Sequence, residues 1–314
     1  MTYTGNGPDN TIGATKQYVT EAMDLAFAQN LKTAAMTPQP GIVEAGKTAG
    51  SIYLATPEVG GLGNYSKANG WTQMESNLNW TAYQLSHDRG AAFLVDRLDA
   101  EQSKNMGAVA VMAAEFQRSK LIPEIDATRL AKVADVAVAE QQAAESETLT
   151  KANILTKIEE ALDGINDRTG YDTGNTIYVS TAVRGLLMQS SEFTRTRDIM
   201  APGTEFNDVI GNIDGNPVVI VPKARMHSKV TYNNGATGTG GFTGAGSPIN
   251  FAIVAPGCAN GVISYTNITA LPAGTHTRGD GDFWAYRIYH DCIITEQSKP
   301  GVYVSLSGKH TPGP

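Results

Sequence analysis

The sequence has no run of lysines and arginines, and no stretch approaching the roughly 18 apolar residues that a membrane helix needs. The first absence excludes a phosphate-gripping face, because a nucleic-acid binder concentrates basic charge, whereas this chain carries a net charge of −7. Any DNA it meets is therefore expected to be contained rather than bound. The start, Met1 to Asn10, lacks the basic and apolar regions of a signal peptide. Cysteine is scarce. Cys258 and Cys292 stand alone, neither in a CxxC, which excludes zinc-ribbon and thioredoxin-like readings. Two buried free thiols are expected, with a disulfide between them as the alternative.

Catalytic motifs are missing as well. The five histidines, His87, His227, His276, His290 and His310, include no i, i+4 pair of the kind that holds a metal on a helix. There is no G-x-S-x-G elbow, and His290 beside Cys292 reads as core packing. His276 with Asp280 and Asp282 reads as a solvated polar loop. Arg278-Gly279-Asp280 matches an adhesion tripeptide, and Asn64, Asn79 and Asn267 open sequons, but nothing extracellular supports a secreted adhesin. One motif is a literal match: residues 41–48, Gly41 to Gly46-Lys47-Thr48, fit the P-loop pattern, with Asp96 ending an apolar run downstream. Phosphate binding there needs a buried strand before the loop and a helix after it. Pro38 and Pro40 precede it, and an extended-looking Ser51–Val59 follows. The sequence thus predicts no enzyme, no cofactor and no metal.

What is present is a folded chain of 314 residues, 41% hydrophobic and 18% charged, with 33 glycines clustered in turns and loops. Residues 15–31 predict a helix, broken by Thr37-Pro38-Gln39-Pro40-Gly41. Ser51–Val59 and residues 74–85 predict a long hairpin. Met74, Leu78 and Trp80 share one parity, Tyr83 and Leu85 the other, so a bulge near Ala82 is expected. A two-stranded hairpin is marginal alone in water, so this one must lie on something else. Asp99 is a candidate cap for a helix carrying Met106, Val109, Ala110, Ala113 and Phe116. Leu121-Ile122-Pro123 is expected to end it, and Pro123 to open another running to about Ala144.

From Ala152 the pattern becomes α/β. Asn153 caps a predicted helix with Leu155, Ile158, Leu162 and Ile165 inward. Ile177 to Val179 is a strand, residues 181–189 a short helix, and residues 217–221 and 251–255 central strands. Residues 231–248, rich in Gly, Thr and Asn, predict a mobile surface loop. Residues 262–270 and 283–294 predict two long strands joined by a polar loop, 273–282, and residues 301–306 a last strand.

Several runs together resemble the major capsid proteins of tailed bacteriophages with the Hong Kong 97-type fold. They are Gly-Leu-Gly-Asn-Tyr65, Gly70-Trp71, the strand Trp80, Asp88-Arg89-Gly90 and Phe93-Leu94-Val95-Asp96 before a helix. Glu115-Phe116, Pro123-Glu124-Ile125-Asp126-Ala127, Phe283 to Asp291, and Lys299-Pro300-Gly301-Val302-Tyr303 follow in order. The set covers roughly residues 50–306.

The resemblance implies an α+β capsid fold in parts. These are an N-terminal arm (1–46), an extended β-hairpin loop (47–96), a peripheral domain with a long spine helix and long strands (97–151 and 260–306), an axial α/β domain (152–259) and a C-terminal tail (307–314). It further implies hexamers and pentamers of the same chain closing an icosahedral virion shell around double-stranded DNA, after a soluble stage in the host cytoplasm. Since the arm begins close to Met1, a separate scaffolding protein is expected, or a chain beginning at a processed end, together with a portal and a decoration protein. Candidate inter-subunit contacts are Asn64, Tyr65, Lys67, Trp71, Trp80, Arg89, Arg278 and Asp280. Lys67 sits where some members form a Lys–Asn cross-link, but residues 273–282 hold no Asn, so no cross-link is expected. The alternatives are an encapsulin-like cargo shell of the same fold and a P-loop nucleotide-binding enzyme.

Overall fold

The computed structural model describes residues 31–38, 43–45, 51–67, 70–96, 108–170, 174–190, 211–235, 240–271, 274–277 and 279–313. The expected helix over 15–30 and the Asp99 cap lie outside the described residues, as does Arg278.

The chain opens with antiparallel strands: β1 (Val43–Ala45), β2 (Ser51–Val59) and β3 (Ser76–Gln84), paired in that order. The β2–β3 register is unbroken from Ser51↔Gln84 to Val59↔Ser76. The bulge expected near Ala82 is therefore absent. The two apolar parities lie on opposite faces of one regular ribbon. Strand β4 (His87–Asp96) follows after only Leu85 and Ser86 and joins a different sheet.

Helix α1 (Ala108–Phe116) continues through a π-helical turn, Gln117–Leu121, into α2 (Ile122–Ala139). The expected break at residues 121–123 does not occur. Pro123 lacks an N–H and its ring would crowd a carbonyl four residues back. The wider turn, in which the Ile122 N–H reaches the Gln117 carbonyl, takes the chain past it. The helix ends at Ala139 rather than near Ala144, because Gln141 adopts a positive φ and β5 (Ala143–Ala144) begins.

Next come α3 (Ile154–Thr169), β6 (Thr176–Ser180), α4 (Thr181–Gln189), β7 (Asn212–Ile213) and β8 (Asn216–Val221). Asn153 occupies the cap position of α3, but its side chain turns outward, accepting from the Thr150 N–H and donating to the Thr148 carbonyl. Then follow β9 (His227–Asn234), β10 (Gly240–Val254), β11 (Asn260–Leu271), β12 (Gly281–Ile293) and β13 (Val302–Leu306).

Strands β5-β13-β10-β6-β8-β7 form one sheet in that order, with β9 added on β10. Both faces are covered. Tyr178, Ala252, Val254, Val302, Val304 and Leu306 meet Leu130, Val133, Ala134 and Ala137 of α2. The alternate residues Ile177, Val179, Phe251 and Ile253 meet α3 and α4 through Ile158, Leu162, Ile165, Val183 and Leu187. Burial on both faces explains why these strands read as unbroken apolar runs. β13 pairs with β10 and β5 here, not with the long strands among which its sequence position groups it.

The third sheet is β11-β12-β4. Its inner face, Trp284, Tyr286 and Ile288, packs on Ala113, Leu121 and Ile125 of the long helix.

The expected mobile loop over 231–248 is, in its described residues, paired strand. β9 and β10 are in register from Asn234↔Gly240 to Lys229↔Ala245, and β9 lies along α2. Backbone hydrogen bonds hold this hairpin, so its few apolar side chains, Val230, Tyr232 and Phe242 among them, are enough. Gly241 and Gly246, with φ of 108° and 67°, supply the left-handed positions that its irregular course requires.

Candidate inter-subunit surface

The β2–β3 hairpin has a root and a tip with opposite environments. At the root, Ile52 (2% exposed), Leu54 and Leu85 pack with Val262 and Ile293, and Tyr83 and Tyr289 flank them. The Tyr289 hydroxyl donates to the Leu85 carbonyl at 2.8 Å. Ser86 donates through its N–H and its Oγ to Asp291 Oδ2, at 2.9 and 2.5 Å. A two-residue link, Leu85 and Ser86, thus ties the hairpin to the end of β12.

Beyond Leu54 the inward-facing parity turns polar, with Thr56, Glu58, Asn77, Asn79 and Thr81. The opposite face becomes apolar: Ala55 stands across from Trp80, Pro57 across from Leu78, and Val59 follows. Residues paired across an antiparallel ladder share a face, so these five side chains form one stripe. Val59, Leu78 and Trp80 (41% exposed) are all open to solvent. The parity change in the sequence therefore marks a change of surroundings: its own body at the root and, along the distal half, an apolar face open to solvent, with the Gln297 side-chain amide donating to the Pro57 carbonyl at 3.0 Å.

The tip closes on itself. Gly60 N–H donates to the Glu75 carbonyl, and Ser66 and Gly70 exchange backbone bonds, with Gly70 at φ 74°. The rings of Tyr65 and Trp71 meet at 5.1 Å, tilted by 59°. Trp71 is nevertheless 85% exposed, and Leu62 and Met74 beside it are exposed too. Asn64 offers its backbone carbonyl to the Thr72 hydroxyl, and its side chain and that of Lys67 are exposed.

The structure gathers Asn64, Tyr65, Lys67, Trp71 and Trp80 on this one projection. Asp280 is exposed in the turn before β12, some way along the chain from it. Arg89 is occupied within its own chain. Its guanidinium grips Glu124 of α2 at 2.6 and 3.3 Å, donates to the carbonyls of Asn233 and Gly241, and lies 5.4 Å over the Tyr232 ring. It fastens the β9–β10 hairpin to the long helix.

Sequence reasoning missed the root cluster of Ser86, His87, His290 and Asp291. His87 and His290 face each other across β4 and β12. A pairing 203 positions apart leaves no local motif; alternation along residues 283–291 was the only signal.

The decoys resolve as well. The P-loop match contains strand β1, which pairs antiparallel with β2, and a strand follows it rather than a helix. Among the described residues no group of three or more His, Cys, Asp or Glu is placed to hold a metal. His276 points its ring nitrogen at the Gly281 carbonyl at 2.8 Å. Cys258 and Cys292 are free, and burial pushes the Cys292 thiol up to about 12. No helix among the described residues is long and apolar enough to cross a membrane.

No protein-family model matches the sequence, and no curated protein matches it. Solved structures do match in shape. One is the asymmetric unit of the bacteriophage PhiM1 mature capsid, with a TM-score of 0.57 at 12% identity, covering 83% of each chain. Another is the capsid of the cyanophage P-SCSP1u, at 0.54 and 12%, covering 87% of this chain and 86% of that one. The chain has the tailed-phage capsid fold. A virus-like particle from Pyrococcus furiosus matches too, at 0.50 and 9%, covering 92% of this chain and 98% of that one.

Proposed function

We propose that this chain is the major capsid protein of a tailed phage, assembling as hexamers and pentamers into an icosahedral shell around double-stranded DNA. The observation that carries this reading is the distal half of β2–β3. It is a ribbon with an exposed apolar stripe and two exposed tryptophans, and among the described residues its own chain leaves that stripe uncovered. A hairpin of this kind is marginal by itself, and exposed apolar surface of this extent marks an interaction site. A second copy of the same chain supplies the missing support in a closed lattice. A net charge of −7 suits a shell that holds DNA without adhering to it. The partners that follow are a scaffolding protein, a portal and a decoration protein, and the role is structural rather than enzymatic.

A second reading, a shell of the same fold enclosing protein cargo, is favoured by the match to the Pyrococcus furiosus particle. Electron microscopy of the purified protein tests the shared core of both readings. Closed shells are expected, and a protein that stays monomeric under all assembly conditions overturns it. Nuclease-protected DNA in particles isolated from infected cells separates the two.

A further inference from the structure

The root of the β2–β3 hairpin contains two histidines that no catalytic or metal site uses. His87 opens β4 immediately after the Leu85-Ser86 link, and its Cα partner across the ladder is His290 of β12. Their rings lie 5.8 Å apart. On its other side the His87 ring meets that of Tyr232 of β9 at 4.7 Å, tilted by 43°, and the Tyr232 hydroxyl is 3.5 Å from His87 Nε2 and 2.7 Å from the Thr128 hydroxyl. His290 is buried, and its Nε2 has no hydrogen-bond partner. The carboxylate that clasps Ser86 is within reach as well, with Asp291 Oδ1 3.9 Å from His87 Nε2.

We propose that His87 is a proton-operated release for the hairpin, its uncharged ring wedging the root closed and its charged ring leaving the wedge and opening the Ser86–Asp291 clasp. The groups around the ring decide the direction. Asp291 on β12 and Glu124 on α2 favour the imidazolium, while Arg89 on β4 and Lys132 on α2 oppose it. His290 faces it from β12 with Arg129 of α2 behind. Burial outweighs them all and lowers His87 below the ordinary 6.5. His290, held down to about 3 by burial and then by its neighbour His87, stays neutral and cannot share the charge.

The open root returns His87 to water and to its ordinary value. The open state therefore binds the proton more tightly, and the closed state loses stability as pH falls below 6.5. A cleft of about 380 Å³, lined by Ser86, His87, Lys132, Tyr232 and Asp291, lies beside the ring and gives it somewhere to go. Because Ser86 is bonded to His87, movement of that ring moves the clasp. The effect belongs to a single chain and does not depend on the assembly reading.

Amide hydrogen exchange on the unassembled full chain tests this, followed over residues 83–90 from pH 7 to pH 5 and corrected for the intrinsic pH dependence of exchange. One titrating group changes the open fraction by at most about tenfold per pH unit. Protection of the Ser86 amide is expected to fall several-fold to tenfold per unit below pH 6.5. In His87→Phe, which keeps a ring on Tyr232 but cannot take a proton, protection is expected to stay flat. Constant protection in the parent protein overturns the proposal. So does an equal loss in His87→Phe, which would assign the effect to a group other than His87. If His87→Phe does not fold, His87→Gln serves as the second non-titrating variant, with the same two outcomes.

Discussion

Two of the long hairpins, β2–β3 and β9–β10, have sequences that suggest opposite fates. β2–β3 carries Trp80, Leu78, Val59 and Leu54, the residues of a buried strand. β9–β10 carries glycine, threonine and asparagine, the residues of a floppy loop. The structure overturns the second reading, since the expected loop is paired strand, and leaves the distal β2–β3 ribbon exposed, as its want of a partner in the sequence implied. The polar hairpin is the supported one: β9 lies along α2, Arg89 bonds two of its carbonyls, and the Tyr232 ring meets that of His87. The apolar hairpin has its apolar packing at the root; farther out, among the described residues, Gln297 reaches the Pro57 carbonyl but the stripe stays uncovered. Side-chain polarity thus reports what a strand's faces meet, and backbone pairing decides whether it is ordered. An apolar face left open in one chain is a face kept for another.

That comparison breaks most sharply at Arg89. Replacing it with methionine leaves Glu124, itself buried, without its cation and removes the donors to Asn233 and Gly241. Breaking a largely buried pair on one side costs roughly 3 kcal/mol, which in a chain of this size lowers Tm by ~6 °C. Scanning calorimetry of the unassembled subunit checks it. A Tm within a degree of the parent would mean that β9–β10 holds itself and that the supported hairpin owes nothing to Arg89.

A smaller loss is expected at Gly246. Its φ of 67° is left-handed, and a Cβ there would stand 2.6 Å from the Oγ of buried Ser228, which accepts the Ser247 N–H. Gly246→Ala should cost about 2 kcal/mol from backbone strain and crowding together. A denaturant midpoint unchanged from the parent would restore the earlier picture of a permissive loop over residues 231–248.

These two residues also mark where the sequence was legible. The buried strands were, because Ile177-Tyr178-Val179 and Phe251-Ala252-Ile253-Val254 are apolar on both parities and are covered on both faces. The capsid-type order of motifs was legible over most of the chain. The exposed hairpin was legible through its want of a partner, and Trp71 and Trp80 stand out on composition alone. The continuous helix was not, since Pro123 is a breaker unless a π-turn precedes it, and nothing local announces that turn. The β9–β10 pairing was hidden because its energy lies in the backbone. Arg89 was singled out from Asp88-Arg89-Gly90, but Glu124 is 35 positions away and its carbonyl partners are anonymous, so the motif could not say that its contacts lie inside the chain. The single-face rule applied to residues 74–85 misled for a physical reason: one ribbon serves two environments, and the change of parity at Leu54 and Tyr83 is the boundary.

The smallest effect on the isolated subunit is expected from Trp71→Ala, and it is the most informative about function. Trp71 touches Tyr65 at the tip and is otherwise in water. Surface substitutions of this sort usually change stability by no more than about 0.5 kcal/mol, so circular dichroism and Tm should match the parent. An aromatic anchor in an interface, by contrast, is worth ~2 kcal/mol or more per contact, and in a shell that loss recurs at every copy. Trp71→Ala should therefore yield soluble, normally folded subunits or capsomers that close few shells, as counted by electron microscopy. Trp80→Ala should fall between the two limits, because it is only partly exposed and sits nearer the root. Shells formed at the parent yield by Trp71→Ala would show that the tip is ornamental and that any lattice contact runs through the Pro57, Leu78 and Trp80 stripe alone. A Trp71→Ala subunit that melts far below the parent would place the tip in an internal core, and the contrast between the two hairpins would collapse with it.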